Sequence, residues 1–559
     1  MGTTGIYGLS GSGIDVESMV KVGMIGKQNQ YDKLYKKEVK NEWMKEAYSG
    51  IYSDLQTFNS VTMSGYKMSS KTNPMLAATK DSTVATAIAN ADAASMAHTV
   101  TVTQLASNAY MQTRSGQTIN RLNTDKPNSI LLKDILYNSS DLATMQSNYS
   151  SSMTDDQKAA NVLSFTVSDG AAGATGTNTK TISFSYKDLF ESDQTLNDLA
   201  TKIKNSGVNI NAQYDATNDS FSLYNKTGGS ANQVNLTVTD DSSGTTDDMA
   251  RSLLNSLKLG VVNTDNTITT LSDLSAKNTT MTASGQSAQA TIDGKAYTSN
   301  TNKITASNVA YTITTAGTTT VTVSQDTDTL IGNVKQFVAD YNKMIDELNT
   351  KYSEPQYSSY GVLTQSQQNS MTADQITKWN EKAKSGLLYH DKNISDVIGS
   401  MREAIYTPVS SVDSNYNTMM SIGVTSATDQ GHLTLNEDKL RKALAADPDC
   451  VQQLFASSGE VKDSAGNTTT DYNKEGVVNR IYDAVNKDMS KMKSYAGTST
   501  ESSDGSTLGN LIRDLKTKMS DFKTQMDAYE DKLYNQYDAM EVAIQKLSSS
   551  MSYITGSSS

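Results

Sequence analysis

The sequence predicts a multidomain α+β chain: a terminal helical coiled coil, a helical-bundle-like module and two inserted β-rich domains, in a nested, discontinuous and elongated arrangement. Three observations lead there. At 559 residues the chain is too long for a single hydrophobic core, and domain-size scaling expects roughly three or four domains. Apolar residues recur at helical spacing at both ends, and between them the pattern changes to alternation with period two. Like ends around an unlike middle imply that the ends pair and the middle is inserted.

The elements follow in chain order. From Ile14 to Val61 the spacing predicts a helix, with Trp43, Ala47, Ile51, Leu55 and Phe58 forming a stripe at steps of three or four. Asp15 is placed to cap its start, because a short carboxylate can accept from the free amides of a first turn. After Pro74 the texture becomes Thr, Ser, Val, Asn and Gly. Alternating runs at 98–105, 181–186, 221–225, 234–239 and 320–324 predict strands. Helices are expected within this region at 194–205 and 247–258, loops near 116–128, 137–158 and 240–248, and a Thr- and Ser-rich connector at 264–282.

From Asp328 the helical pattern resumes with Leu330, Val334, Phe337, Val338, Tyr341 and Ile345. Further helices fit 371–384, 391–405, 436–456 and 475–493. The final stripe runs Leu508, Leu511, Leu515, Met519, Phe522, Met526, Tyr529 and Leu533, then Met540, Ile544, Leu547 and Met551. Its mean period of about 3.6 predicts one long amphipathic helix. Such a helix cannot bury its stripe alone, and the N-terminal helix is the natural partner. The tips, with polar flanks such as Lys36, Lys37, Asp531 and Lys532, are expected to find their remaining burial in an oligomer. The expected domains are 1–40 with 520–559 as a coiled-coil leg and 41–76 with 328–519 as the helical module. Residues 77–112 with 281–327 form an inner β domain, and 113–280 an outer β-rich domain with two short helices.

Charge and chemistry narrow the function. The formal net charge is -12, and residues 81–329 carry 23 acidic and 15 basic side chains, a net -8. Such an acidic middle disfavours nucleic acid. The single cysteine, Cys450, cannot form an internal disulfide, and in a helical pattern without a neighbouring base it reads as a packed thiol. The histidines His98, His390 and His432 stand apart, without the spacing of a zinc site, and surface or loop roles are expected for His98 and His432. Asp240, Asp241, Asp247 and Asp248 lack the alternating ligands of a calcium loop. The glycines at 8, 11 and 13 complete no nucleotide loop. No cofactor, metal or catalytic residue is expected, and the chain reads as a non-enzyme. No apolar run approaches a membrane span. The opening MGTTGIYGLSGSGID has no basic start followed by an apolar run, so any export is expected to proceed without a cleaved signal.

Several runs carry a resemblance. GLSGSGIDVESMV (8–20), WMKEAYSGI (43–51), VTVTQLA (100–106), TIDGKAY (291–297) and VTVSQDTD (321–328) resemble segments of the flagellar filament cap family, also called hook-associated protein 2 or FliD. The helical module is similar over longer stretches: YNKMIDELN (341–349), EKAKSGLLYHDKNISDVIGSMREAIYTPV (381–409), SIGVTS (421–426) and GHLTLNEDKLRKALAADPDCVQQLF (431–455). The tail YDAMEVAIQKLSSSMSYI (537–554) follows. Together these runs cover about half the chain. Residues 113–280 match weakly, and Tyr537 stands where Phe is expected.

The resemblance implies an extracellular structural cap at the distal tip of the bacterial flagellum, exported unfolded through the flagellar type III channel. It implies a homo-oligomeric ring, with five copies the usual expectation, that holds emerging flagellin while it folds and inserts. Implied partners are the chain's own copies, flagellin, the export apparatus with an export chaperone, and the hook–filament junction proteins. Contacts through the terminal helices are then expected at Ile14, Met19, Val20, Leu533, Met540, Ile544, Leu547 and Met551, and the helical-module core at Trp43, Ile51, Leu55, Phe58, Phe337 and Trp379. Two alternatives fit parts of the pattern. One is another axial component, a junction protein or a flagellin. The other is a surface adhesin whose outer β domain binds mucin or host glycans.

Overall fold

The computed structural model describes residues 15–124, 130–171, 173–238, 245–274, 279–426, 430–498 and 504–556. Ile14, Asp240 and Asp241 lie outside them. The chain forms two compact units, Met1–Pro74 with Asp326–Ser559 and the inserted Met75–Gln325.

In the first unit the N-terminal helix Val16–Thr57 passes into a π-helical turn, Phe58–Met63. In an α-helix, residues five apart point roughly 140° away from each other. The wider turn brings Phe58 and Met63 into the same core, and the Asn59 amide fixes it by donating to the Tyr482 carbonyl at 2.9 Å. The chain returns through Asp326, whose backbone N–H donates to Pro74 O at 2.8 Å and closes the insertion. The Asp326 side chain caps the helix Thr327–Ser353 by accepting from Thr329 N at 3.0 Å. That helix buries Leu330, Val334, Phe337, Tyr341 and Ile345 against Lys392–Tyr406, Cys450–Ala456 and Val477–Ala496. The 436–456 segment is two helices, Glu437–Ala446 and Cys450–Ala456, because Pro448 interrupts it. Cys450 is fully buried there, and burial pushes its thiol up to about 12.

Ile51, Leu55, Phe58 and Phe337 lie in this core; Trp43 and Trp379 do not, and are half-buried. The buried face of the N-terminal helix turns through Tyr48 rather than Trp43. Tyr48 is 1% exposed, and its hydroxyl donates to Asp391 at 2.5 Å. Trp43 is left under the Lys384 ammonium, 5.5 Å from its ring, while Lys384 pairs with Glu46 at 2.7 Å. Trp379 sits on the helix Ala373–Lys384, which has no buried residue. Its indole donates to Gly361 O at 2.7 Å and its ring packs on Tyr360.

The inserted unit has two cores. A five-stranded antiparallel sheet runs in the order Met75–Thr79, Gly317–Gln325, Ala97–Gln104, Ala288–Ile292 and Lys295–Ser299. With the three-stranded sheet of Lys303–Ala306, Val309–Ile313 and Ala85–Ala89 it encloses Val100, Val102, Ile292, Tyr311, Val321 and Val323. Period-two alternation puts His98 on the inward side with Val100 and Val102, so it is a core residue, not a surface one. Its Nδ1 meets Asp293 at 2.7 Å. His432 lies in the helical unit, with Nε2 2.6 Å from Asp346.

The second core, around Phe165, Phe184, Leu199, Phe221, Leu236 and Leu254, lies among a five-stranded sheet, a four-stranded sheet and helices including Leu196–Lys204 and Thr245–Ser256. Two expectations are corrected here. Residues 137–158 are largely helical, with Ser139–Ser151 capped by Asn138; their Ser-rich sequence conceals this because the helix docks through a few side chains, Leu142, Met145 and Tyr149 stacked on Phe190, and buries none of them fully. The expected connector contains the strand Ile268–Thr270 and ends inside the strand Thr279–Ser284, which pairs with Asn232–Val238 and is supported by a 2.8 Å Thr237–Thr280 hydroxyl contact. Threonine hydroxyls read as loop in isolation but suit a half-exposed strand.

Both tryptophans belong to the helical unit, so intrinsic fluorescence follows its unfolding. Phe337→Ala is expected to destabilise that unit by about 3–5 kcal/mol, seen as a lower urea midpoint in tryptophan emission; an unchanged midpoint contradicts the assigned core.

Candidate functional site

The terminal helices, Val16–Thr57 and Thr507–Gly556, pack antiparallel. The partners prove the direction: Gly23 meets Leu533, Lys27 lies over Phe522 and Tyr529, Glu38 and Glu42 meet Lys516, and Lys45 pairs with Asp504.

Each helix is started by its own sequence. Asp15 accepts from Ser18 N at 3.0 Å, as expected for a cap, and the Ser18 hydrogen bonds hold its carboxyl below the ordinary value. Ser506 accepts from Gly509 N at 3.0 Å at the start of the C-terminal helix. Burial alone would raise the Asp504 carboxyl beside it, but Lys45 and Ser506 bring it down to about 2.

The inward positions of the C-terminal helix are Leu508, Ile512, Leu515, Met519, Phe522, Met526, Tyr529 and Leu533, all buried or half-buried. Ile512, not Leu511, takes the second place. The steps alternate four and three, which is the 3.5-residue repeat of a left-handed coiled-coil seam. From Leu533 to Tyr537 the step is four again before the alternation resumes at Met540, Ile544, Leu547 and Met551. Such an insertion locally relaxes the supercoil. The helices pack tightly at this place: a Cβ on Gly23 would lie 2.7 Å from Leu533 Cδ1.

Charge is built into the seam as well. Glu38 is 5% exposed, and burial together with Glu42 raises its carboxyl above the ordinary value. Lys516 answers both, 3.3 Å from Glu38 and 2.6 Å from Glu42. An open groove of about 660 Å³ lies beside this cluster, lined by Lys45, Asp504, Gly509, Ile512 and Lys516 among others. Within its lining Lys45 pairs with Asp504 and Lys516 with Glu42. Among the described residues no group of three or more His, Cys, Asp or Glu could hold a metal ion, and no helix is long and apolar enough to cross a membrane.

The expected contact residues divide into two sets. Val20 and Leu533 are buried between the two helices, and Met19 is half-buried. Ile544 is half-buried, whereas Met540, Leu547 and Met551 are 36%, 69% and 60% exposed. The seam residues Gly23, Lys27, Glu38 and Lys516 escape a reading by hydrophobicity because none is apolar and large; the strict four–three spacing was the available signal for Ile512.

Replacing Gly23 with Val is expected to cost the pair about 1–3 kcal/mol through overpacking, read as faster amide exchange over residues 16–30. Adding Leu533→Ala makes room and should recover part of that loss; additive effects of the two changes would argue against the contact.

The chain is similar to known proteins. Residues 12–109 match the family model of the flagellar hook-associated protein 2 N-terminus, and residues 285–549 that of its C-terminus. The flagellar hook-associated protein 2 of Halalkalibacterium halodurans is 32% identical over 256 residues, 44% of this chain and 48% of that protein. That of Escherichia coli K12 is 25% identical over 236 residues, 42% of each. The matched stretch therefore spans about half the length of these relatives or less. The crystal structure of the flagellar cap protein FliD D1-D2-D3 domains from Escherichia coli aligns over 84% of this chain and 99% of that one, at 18% identity and a TM-score of 0.48.

Proposed function

Because the chain belongs to the flagellar hook-associated protein 2 (FliD) family, we propose that it is a structural cap at the distal end of the bacterial flagellar filament, where it promotes folding and insertion of exported flagellin. The observation that carries this reading is the apolar stripe of the C-terminal helix. It leaves the intramolecular seam at Leu533 and continues through Met540, Leu547 and Met551 with its side chains exposed.

A stripe of this kind gains stability only when another helix covers it. Burying each Met or Leu contributes about 1.5–3 kcal/mol, enough to hold a contact and little enough to release it. A cap that must yield its place as each subunit inserts needs contacts of that strength, and no covalent step. Residues 1–40 and 520–559 are the leg in this reading, 41–76 with 328–519 the helical module, 77–112 with 281–327 the inner β domain and 113–280 the outer one. The partners are other copies of the chain, five in the ring, together with flagellin at the tip. An export chaperone and the type III apparatus deliver the unfolded chain, and the hook–filament junction proteins form its first seat.

Leu547→Asp tests the reading. The isolated chain should keep its helical content and its unfolding midpoint, since Leu547 is 69% exposed, while cells carrying it should make short filaments and lose flagellin to the medium. Removal of residues 525–559 should abolish elongation altogether. Filaments of normal length in both strains would refute the proposal.

A further inference from the structure

Charge is divided between the terminal helices. Residues 16–40 carry six lysines and three acidic side chains, whereas residues 520–556 carry six acidic side chains and three lysines. At about 100° per residue, Lys33, Lys36, Lys37 and Lys40 fall within an arc of roughly 100° on the N-terminal helix. Asp527, Glu530, Asp531, Asp538 and Glu541 fall within a similar arc on the C-terminal helix. All of them are exposed or half-buried. Like charges three and four positions apart on a helix repel, and a solvated face normally alternates its signs to avoid this. Each of these ridges keeps one sign. Among the described residues the four lysines have no ion-pair partner, and of the five acids only Asp527 has one, Lys523 at 3.7 Å.

The ridges also lie on different sides of the leg. Each stands about 120° round its helix from the seam, in opposite rotational senses along the two sequences. Antiparallel pairing reverses one of those senses in space, so the lysines flank one side of the helix pair and the acids the other. A leg charged in this way cannot neutralise its own ridges. A second copy placed head to tail can, and a heterologous contact of that kind is the one that closes a ring. Val22 and Ile25, 67% and 53% exposed, continue the lysine flank, and Val542, 50% exposed, continues the acidic one. These apolar side chains give a contact between the flanks something to bury.

We propose that neighbouring legs touch through these flanks, the acidic ridge of one copy lying on the lysine ridge of the next. This rests on the reading of the chain as an assembling cap and names what each leg meets. Spacing sets the register. Lys33 and Lys40 are seven residues apart, as are Asp531 and Asp538, so in antiparallel alignment Asp538 meets Lys33 while Asp531 meets Lys40. Val542 then comes within about one turn of Ile25. Inside a single leg the levels differ, since Gly23 faces Leu533 and Glu38 faces Lys516. The contact between copies is therefore displaced by about 16 residues, roughly 24 Å along the helices. Legs standing upright around a ring have no such displacement, so they lean, the acidic end of each crossing the middle of the next. Exposed ion pairs contribute little each and are screened by salt, which suits a contact that must be remade as the cap steps.

Cross-linking of the purified full chain reads this contact. Cys450 is fully buried, so introduced cysteines are the reactive ones. A Lys40→Cys chain mixed with an Asp531→Cys chain should give covalent pairs with a short bismaleimide. Either chain alone should give about tenfold fewer, and so should Lys532→Cys in place of Asp531→Cys, because Lys532 lies on the other side of its helix. Adding Asp538→Lys to the Asp531→Cys chain sets a like charge against Lys33 and should cut the yield about tenfold. Adding Lys33→Glu to its Lys40→Cys partner should then restore the yield. Sedimentation of the same mixtures reports assembly separately. A chain that stays single overturns capping and the leg contact together. An assembled chain without the cross-link, or without the rescue, overturns the leg contact and leaves capping standing.

Discussion

The helical unit depends on one constraint: the first and last helices of the chain, separated by more than four hundred residues, bury one another's apolar stripes. Neither is stable by propensity alone. The N-terminal helix spends long stretches on Tyr, Lys and Gln, and helices gain most of their stability in proteins from a packed face. Closing so long a loop has an entropic cost that grows slowly with length, and the Val20, Ile512, Leu515, Met526 and Leu533 side chains offset it together.

Apolar stripes alone would let the two helices slide by a heptad. The polar residues in the seam prevent this. Lys516 answers Glu38 and Glu42 in one register only, and Lys45 with Asp504, just before the start of the C-terminal helix, repeats the condition. An ion pair with one buried carboxylate, Glu38, adds little net stability but penalises every alignment that leaves that charge without its lysine. Gly23 adds a steric form of the same selection, since any side chain there would force Leu533 to shift. Register in turn decides where the seam ends, and so which apolar residues of the C-terminal helix are left exposed.

Burial of polar groups recurs wherever the helical unit needs a fixed direction rather than extra stability. Tyr48 positions Asp391, which itself caps the helix Lys392–Tyr406; Tyr66 reaches Asp340 at 2.8 Å; Arg480, fully buried, gathers carbonyls from two segments, Thr407–Pro408 and Tyr472–Asn473. Each is a hydrogen-bonded group inside a low-dielectric surround, where losing the partner costs more than making the bond gains. The order of the hairpin Ser458–Lys462 with Thr468–Glu475, most of whose side chains are exposed, follows from this asymmetry.

The sequence by itself determined the α+β class, the long terminal helices, the Asp15 cap, the β-rich middle and the core positions Ile51, Leu55, Phe58 and Phe337, because periodicity and capping are local properties of the chain. Tertiary structure alone decided the rest. It placed His98 in a core and left Trp43 and Trp379 half-exposed, since which side of a stripe is covered depends on the neighbour that arrives. It turned a Ser-rich stretch at 139–151 into a docked helix and a Thr-rich connector into a strand, since hydroxyl residues take the structure their partners complete. The Glu38–Lys516 contact joins residues on different helices, and no spacing along a chain encodes the distance between two groups that only folding brings together.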